Sequence, residues 1–286
     1  MPFENEKVLS DAVQKVILFV PQRCHFPHFL ISGSYCLTHI FMEIGLFIPC
    51  YIDQFYPQAG VATLRLLEKF GCRVEYPAEQ TCCGQPMANS GCEKEAIPTY
   101  LHFVETFQKY DFIVAPSGSC VYQVRKHYDC IEQTEQVRRI REKTVDLSSF
   151  LLDVLKVEQL DAKFPFKVGL HQSCHGLRGL RLGQSSERVG ESFSKIKTLL
   201  QMVDGLELVE LDRPDECCGF GGTFATTEET VSVKMGQDRL ADHERNGAEV
   251  ITAGDTSCLM HLEGIIRRQK KKLRVMHFAE ILDFAG

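Results

Sequence analysis

The sequence predicts an α/β protein made of two duplicated parallel-sheet halves related by internal pseudo-symmetry. Three observations lead there. Strand-like and helix-like apolar periods alternate from Ile44 to the C-terminus, the pattern of parallel strands joined by crossover helices. The rare triplet Cys-Cys-Gly occurs twice, at Cys82-Cys83-Gly84 and Cys217-Cys218-Gly219, 135 residues apart. Single cysteines then flank each pair at matching distances. The two halves run over residues 42–156 and 165–286, and residues 1–41 form an N-terminal extension that joins neither.

In the first half, residues 44–48 read as a buried strand ended by Pro49-Cys50. Val61, Leu64, Leu67 and Phe70 fall on one helical face, with Gly71 placed to cap its end. Residues 72–76 return as a strand closed by Pro77, and the first double cysteine follows. Ala96, Tyr100, Phe103 and Phe107 mark a second helix, with Pro98 in its first turn or at a kink. Phe112–Ala115 is the next strand, and Pro116-Ser117-Gly118-Ser119-Cys120 its exit loop. A charged link over residues 132–143 leads to a helix around residues 150–155.

The second half repeats the plan. Lys167–His171 is a strand leading to Cys174. Val189, Phe193, Ile196 and Leu200 form a helical stripe ended near Gly205. A strand over residues 206–211 precedes the second double cysteine. Val231, Met235 and Leu240 mark a helix stopped at Asn246-Gly247. Val250–Ala253 leads to Cys258, residues 273–276 form a last strand, and a helix starts at Phe278. Gly45-Leu46 stands five and four residues before Cys50, as Gly169-Leu170 does before Cys174. Ser119-Cys120 likewise matches Ser257-Cys258.

Composition narrows the function. At 286 residues and 44% hydrophobic, the chain can bury a full core. Its 24% charged residues are ordinary for a globular protein and argue against widespread disorder. A net charge of −6 argues against a nucleic-acid binder. The one basic run, Arg267 to Lys272, reads as a solvated helix end that complements the macrodipole. Residues 29–49 are apolar but contain His39 and Glu43, and a glutamate at bilayer depth is expensive, so no transmembrane span is expected. Thirteen cysteines with no convincing signal peptide point to metal or redox chemistry rather than a disulfide scaffold. Because Met42 stands directly before the first clear strand, one reading has translation begin there.

Each half thus offers one cysteine, a Cys-Cys-Gly and one further cysteine: Cys50, Cys82, Cys83 and Cys120, then Cys174, Cys217, Cys218 and Cys258. All follow expected strands, and loops at the carboxyl ends of parallel strands line one crevice where ligands bind. Four thiolates converging from three loops suit an iron–sulfur cluster. Zinc is the competing reading, supported by the C-x-x-H spacing of Cys258 and His261 but not by any C-x-x-C. Plain packing suits Cys72, Cys92 and Cys130. His171, His175 and His261 lie beside the expected ligands, as hydrogen-bond donors around a cluster or as structural histidines. Asp53 and Asp255 read as capping or turn residues. Motifs for a serine nucleophile, a zinc protease, a P-loop or a dinucleotide are absent.

The arrangement C-x31-C-C-G-x35-C, repeated as C-x42-C-C-G-x38-C, resembles the cysteine-rich domain found in heterodisulfide reductase and in related iron–sulfur proteins of glycolate and glycerol-3-phosphate oxidation. Thr81-Cys82-Cys83-Gly84-Gln85-Pro86, Cys217 to Phe224 and Val275-Met276-His277 are most similar to the lactate-utilisation members of that family. The resemblance covers the chain from Ile44 onward. It implies a cytoplasmic iron–sulfur protein, peripheral to a membrane at most through its partners. It further implies two partner proteins, at least one with ferredoxin-type clusters, and oxidation of L-lactate to pyruvate. It implies [4Fe–4S] clusters, one per half, with ligands shared across the halves as the runner-up. In heterodisulfide reductase a further cysteine stands at the positions of Gln123 and His261. Thiol–disulfide chemistry like that of heterodisulfide reductase, and oxidation of glycolate or another 2-hydroxy acid, are the alternatives.

Overall fold

The structure, a computed structural model, describes residues 42–284. The reading of residues 1–41 as an extension upstream of Met42 lies outside the described residues.

Two four-stranded sheets, each wholly parallel, organise the chain. The first holds β1 (Glu43–Leu46), β2 (Arg73–Glu75), β3 (Phe112–Ala115) and β4 (Thr144–Asp146) in the order β2-β1-β3-β4. The second holds β5 (Lys167–His171), β6 (Glu207–Leu208), β7 (Val250–Ala253) and β8 (Arg274–His277) in the order β6-β5-β7-β8. Equivalent residues keep equivalent registers: Gly45 pairs with Ile113, and Gly169 with Ile251. The chain leaves β1 toward β2 on one side and returns to β3 on the other. Each sheet therefore reverses direction between its two central strands, where open α/β sheets leave a crevice.

The helices follow the apolar stripes in most places. After β1 come α1 (Cys50–Phe55) and α2 (Pro57–Lys69); after β2, α3 (Gln85–Asn89) and α4 (Glu93–Phe107); after β3, α5 (Gly118–Tyr122) and α6 (Glu135–Lys143). The second half contributes α7 (Lys195–Leu200), α8 (Glu229–Arg245), α9 (Thr256–Gln269) and α10 (Phe278–Leu282). The Ser117 and Thr134 hydroxyls accept from the third backbone N–H of α5 and α6, supplying a partner that a helix start lacks.

Strand alternation divides the core. Ile44, Leu46 and Val114 point to one face of the first sheet, Val168, Leu170 and Val250 to one face of the second. All six enter a single cluster with Leu64 and Leu67 of α2, Leu199 and Leu200 of α7, and Ile281 and Leu282 of α10. The opposite faces feed separate cores, one around Phe47, Phe103, Phe107 and Tyr128, the other around Leu240, Ile251, Leu259 and Leu262. The halves therefore share the apolar layer between them.

Some elements depart from what the sequence predicts, among them α6, a helix inside the expected charged link. The stripe from Val189 to Leu200 is helical only from Lys195. Ser194 accepts from Lys197 N–H and starts the helix there, while Val189 and Phe193 lie exposed in the preceding loop. Strand β4 falls where the sequence predicts only a charged link and a helix. Three residues carry too little alternation to register, and Asp146 at its end caps the next turn by accepting from Ser148 and Ser149 N–H. No described helix is long and apolar enough to cross a membrane.

Candidate metal centre

The eight cysteines of the two sets arrive at one place. They line a single cavity of about 310 Å³ between the halves. Cys50 begins α1 after β1, and Cys120 is the third residue of α5 after β3. Cys174 follows β5, directly before a single π-helical turn at His175–Gly179, and Cys258 is the third residue of α9 after β7. In each half the single cysteines thus straddle the point where the sheet reverses, and the double cysteine follows the edge strand, β2 or β6. Cys83, Cys120, Cys218 and Cys258 are buried, Cys50, Cys82 and Cys217 are half-buried, and Cys174 is exposed.

The glycine of each triplet has a definite task. Gly84 (φ 83°) and Gly219 (φ 89°) adopt the left-handed conformation that glycine alone enters freely. That turn aims the Gly84 N–H at Cys82 Sγ and the Gly219 N–H at Cys217 Sγ, both at 3.4 Å. A Cβ at Gly84 would collide with the Tyr100 ring, and one at Gly219 would stand 2.6 Å from the Ser232 carbonyl oxygen.

Electrostatics single out the same residue in each set. Hydrogen bonds from Cys50, from Cys83 and from the Gly84 N–H pull the Cys82 thiol down to about 3. Hydrogen bonds from Cys174, from Cys218 and from the Gly219 N–H pull Cys217 down to about 2. Cys50 lies 3.9 Å from Cys82, sulfur to sulfur. As donors to these thiolates, Cys50 and Cys174 are raised, with burial adding to the effect. Cys83 and Cys218 are likewise raised by their neighbouring thiols and by burial. In each half the first cysteine of the pair is therefore the one held most readily as a thiolate.

Asp255 holds the two walls together. Buried at 1% exposure, it accepts from the Ser117 hydroxyl and the Ser119 N–H, both at 2.9 Å, and from the Ser173 hydroxyl. The sequence predicts a residue that caps or turns its own segment, yet the carboxylate holds the start of α5 in the other half. Gly118 N–H also donates to the Gly254 carbonyl at 3.4 Å. At the mouth, Ser90 and Thr223 lie 3.2 Å apart, oxygen to oxygen, and the Tyr51 and Phe220 rings meet edge to face. A Cys-Cys-Gly loop of one half thus faces that of the other.

The three histidines separate. His175 lines the cavity and stacks on Tyr122. His261 lies beside Gly236, with Nε2 3.3 Å from the Ser232 carbonyl, outside the cavity lining. His171 is buried at 1% exposure, and neither ring nitrogen has a hydrogen-bond partner among the described residues. Its ring nitrogen, Cys218 Sγ and Cys258 Sγ all lie within 4.8 Å of one another. Burial pushes His171 down to about 3, so the ring is neutral. Gln123, also outside the lining, donates to the Tyr100 hydroxyl.

A protein of two parallel-sheet halves, each carrying a Cys-Cys-Gly between two strand-end cysteines, is defined by this geometry. The model of the cysteine-rich domain called CCG matches residues 44–125 and again residues 168–263. The chain is also similar to curated proteins named lactate utilization protein A. That of Halalkalibacterium halodurans is 39% identical over 246 residues, 85% of this chain and 97% of the relative. That of Exiguobacterium sp. is 41% identical over 248 residues, 84% of this chain and 97% of the relative. That of Bacillus subtilis is 37% identical over 246 residues, 85% of this chain and 99% of the relative. The chain belongs to the cysteine-rich CCG domain family, in the lactate utilization protein A group. Among solved structures, glutamate racemase RacE1 from Bacillus anthracis matches 85% of this chain and 79% of its own at 10% identity and a TM-score of 0.32, too slight a likeness to bear on function.

Proposed function

We propose that the chain is an iron–sulfur electron-transfer subunit of a multi-protein oxidoreductase that oxidises L-lactate to pyruvate. The observation that carries this reading is the convergence of two matched four-cysteine sets on one cavity. Four thiolates are the usual protein ligands of a [4Fe–4S] cluster, so the donor set fits one cluster per half. Cys50, Cys82, Cys83 and Cys120 would hold one, and Cys174, Cys217, Cys218 and Cys258 the other. Bound there, the clusters supply one-electron transfer. The chain supplies the thiolates, the Gly84 and Gly219 amide donors, and the Asp255 junction that fixes the spacing of the walls.

The substrate comes from the names of the relatives. Conversion of L-lactate to pyruvate releases two electrons and two protons, and this chain is the carrier rather than the site of that chemistry. Among the described residues, the cavity lining contains neither arginine nor lysine to pair with a carboxylate. Two partner proteins complete the assembly, at least one with ferredoxin-type clusters. Thiol–disulfide chemistry has less support, because glutamine and histidine stand at positions 123 and 261, where heterodisulfide reductase has its further cysteines.

Protein purified without oxygen is assayed for iron, acid-labile sulfide and zinc, with absorbance recorded before and after dithionite. The expected result is iron and sulfide in equal amounts, with visible absorbance that dithionite bleaches. Zinc without sulfide would refute the reading. Replacing Cys218 with serine should remove about half of the iron. Loss of growth on L-lactate in a strain lacking the gene, restored by the intact gene, checks the substrate.

A further inference from the structure

The two walls of the cavity are built alike but floored differently. In the first half, the Gly84 turn rests on the Tyr100 ring, and Tyr128 donates to the Cys83 carbonyl. In the second, the Gly219 turn rests on Ser232 and Met235 of α8, and deeper in the same helix lie Arg239 and His243, both fully buried. The sharpest difference falls on the central strands. Gly45 and Gly169 share a register against Ile113 and Ile251, so two residues further on Phe47 in one half stands where His171 stands in the other. Both side chains are buried on the outer face of their sheets. Phe47 packs edge to face against Phe103 and Phe107. Among the described residues His171 has no hydrogen-bond partner for either nitrogen, while its ring lies beside Cys218 and Cys258.

A buried polar group without a partner is costly, and an imidazole beside two cysteine sulfurs is a set of metal donors. We propose that His171 binds the metal centre of the second half through a ring nitrogen, giving that centre mixed nitrogen–thiolate surroundings where the first half has thiolates alone. The inference rests on the iron–sulfur reading above and goes beyond its eight cysteines. Its consequence is an ordered pair of centres. Where the imidazole takes an iron in place of Cys174, the exposed cysteine of the set, neutral nitrogen for anionic sulfur leaves a centre less negative and so readier to accept an electron, which gives the second centre the higher reduction potential. Electrons then run from the first half to the second.

The test uses the full chain, purified without oxygen and reduced. Pulsed EPR of protein labelled with 15N at histidine, against unlabelled protein, should show an imidazole nitrogen coupled to one of two centres. Potentiometric titration should resolve two midpoints. His171→Phe, which installs the residue found in the first half, should abolish the nitrogen coupling and lower the higher midpoint while leaving the other in place. Iron and sulfide are assayed on every sample. Iron–sulfur-loaded wild-type protein without imidazole coupling would overturn the role of His171 and leave the iron–sulfur reading standing. A preparation holding zinc and no sulfide would overturn both. The labelling experiment needs no variant, so misfolding of His171→Phe does not protect the proposal.

Discussion

At the scale of single residues, the triplet glycine governs what the cysteines can do. Its left-handed backbone is what turns an amide toward the first thiolate of each pair. Gly219→Ala forces an L-residue into that conformation, a cost of about 1–3 kcal/mol, and presses a Cβ against the Ser232 carbonyl. A melting temperature several degrees lower, with reduced iron content, is the expected outcome of calorimetry and metal assay. The thiolates make a second prediction, for metal-free protein. A thiol is ionised above its pKa, so Cys82 at about 3 and Cys217 at about 2 stay ionised throughout the neutral and mildly acid range. Their alkylation by iodoacetamide should hold steady from about pH 8 to pH 5. Cys72, which burial pushes up to about 11, should slow about tenfold per pH unit over that range. Peptide mass spectrometry reads each site. Cysteine spacing made the eight candidates legible because strand ends are set by local pattern. Asp255 was not legible as a bridge, since its partners Ser117, Ser119 and Ser173 are more than eighty residues away in sequence and meet it only after folding.

Elements show the same contrast of local and distant causes. The central strands could be read from their apolar runs, and the parallel class from their alternation with helices. Strand β4 could not, because Thr144-Val145-Asp146 gains its identity from pairing with β3. Its counterpart β8 pairs with β7 in the same way, so the matching pattern of the second half held the missing signal. The over-long helix before Leu200 shows the reverse error. Val189 and Phe193 satisfied a period of 3.6, but the Ser194 hydroxyl sets the start of α7 later in the chain. Ser194→Ala removes that cap and should cost about 1 kcal/mol, measured as a lower denaturant midpoint with unchanged slope.

For the molecule as a whole, the shared apolar layer means that neither half is complete. Chains covering residues 42–156 or 165–284 alone would expose Leu64 and Leu67, or Ile281 and Leu282, to water. Separate expression is expected to yield aggregates, and co-expression a soluble pair that elutes together in size-exclusion chromatography. The junction also bears on why one continuous chain is useful. Asp255 occupies, in its half, the place that Ser117 occupies in the other, each two residues beyond the alanine that ends its central strand, and the two side chains touch. Two identical subunits would have to bring serine against serine or aspartate against aspartate. The first would lose the charge-assisted bonds, and the second would press two buried carboxylates together. A single chain frees the seam from that constraint, so a donor and an acceptor can stand opposite one another.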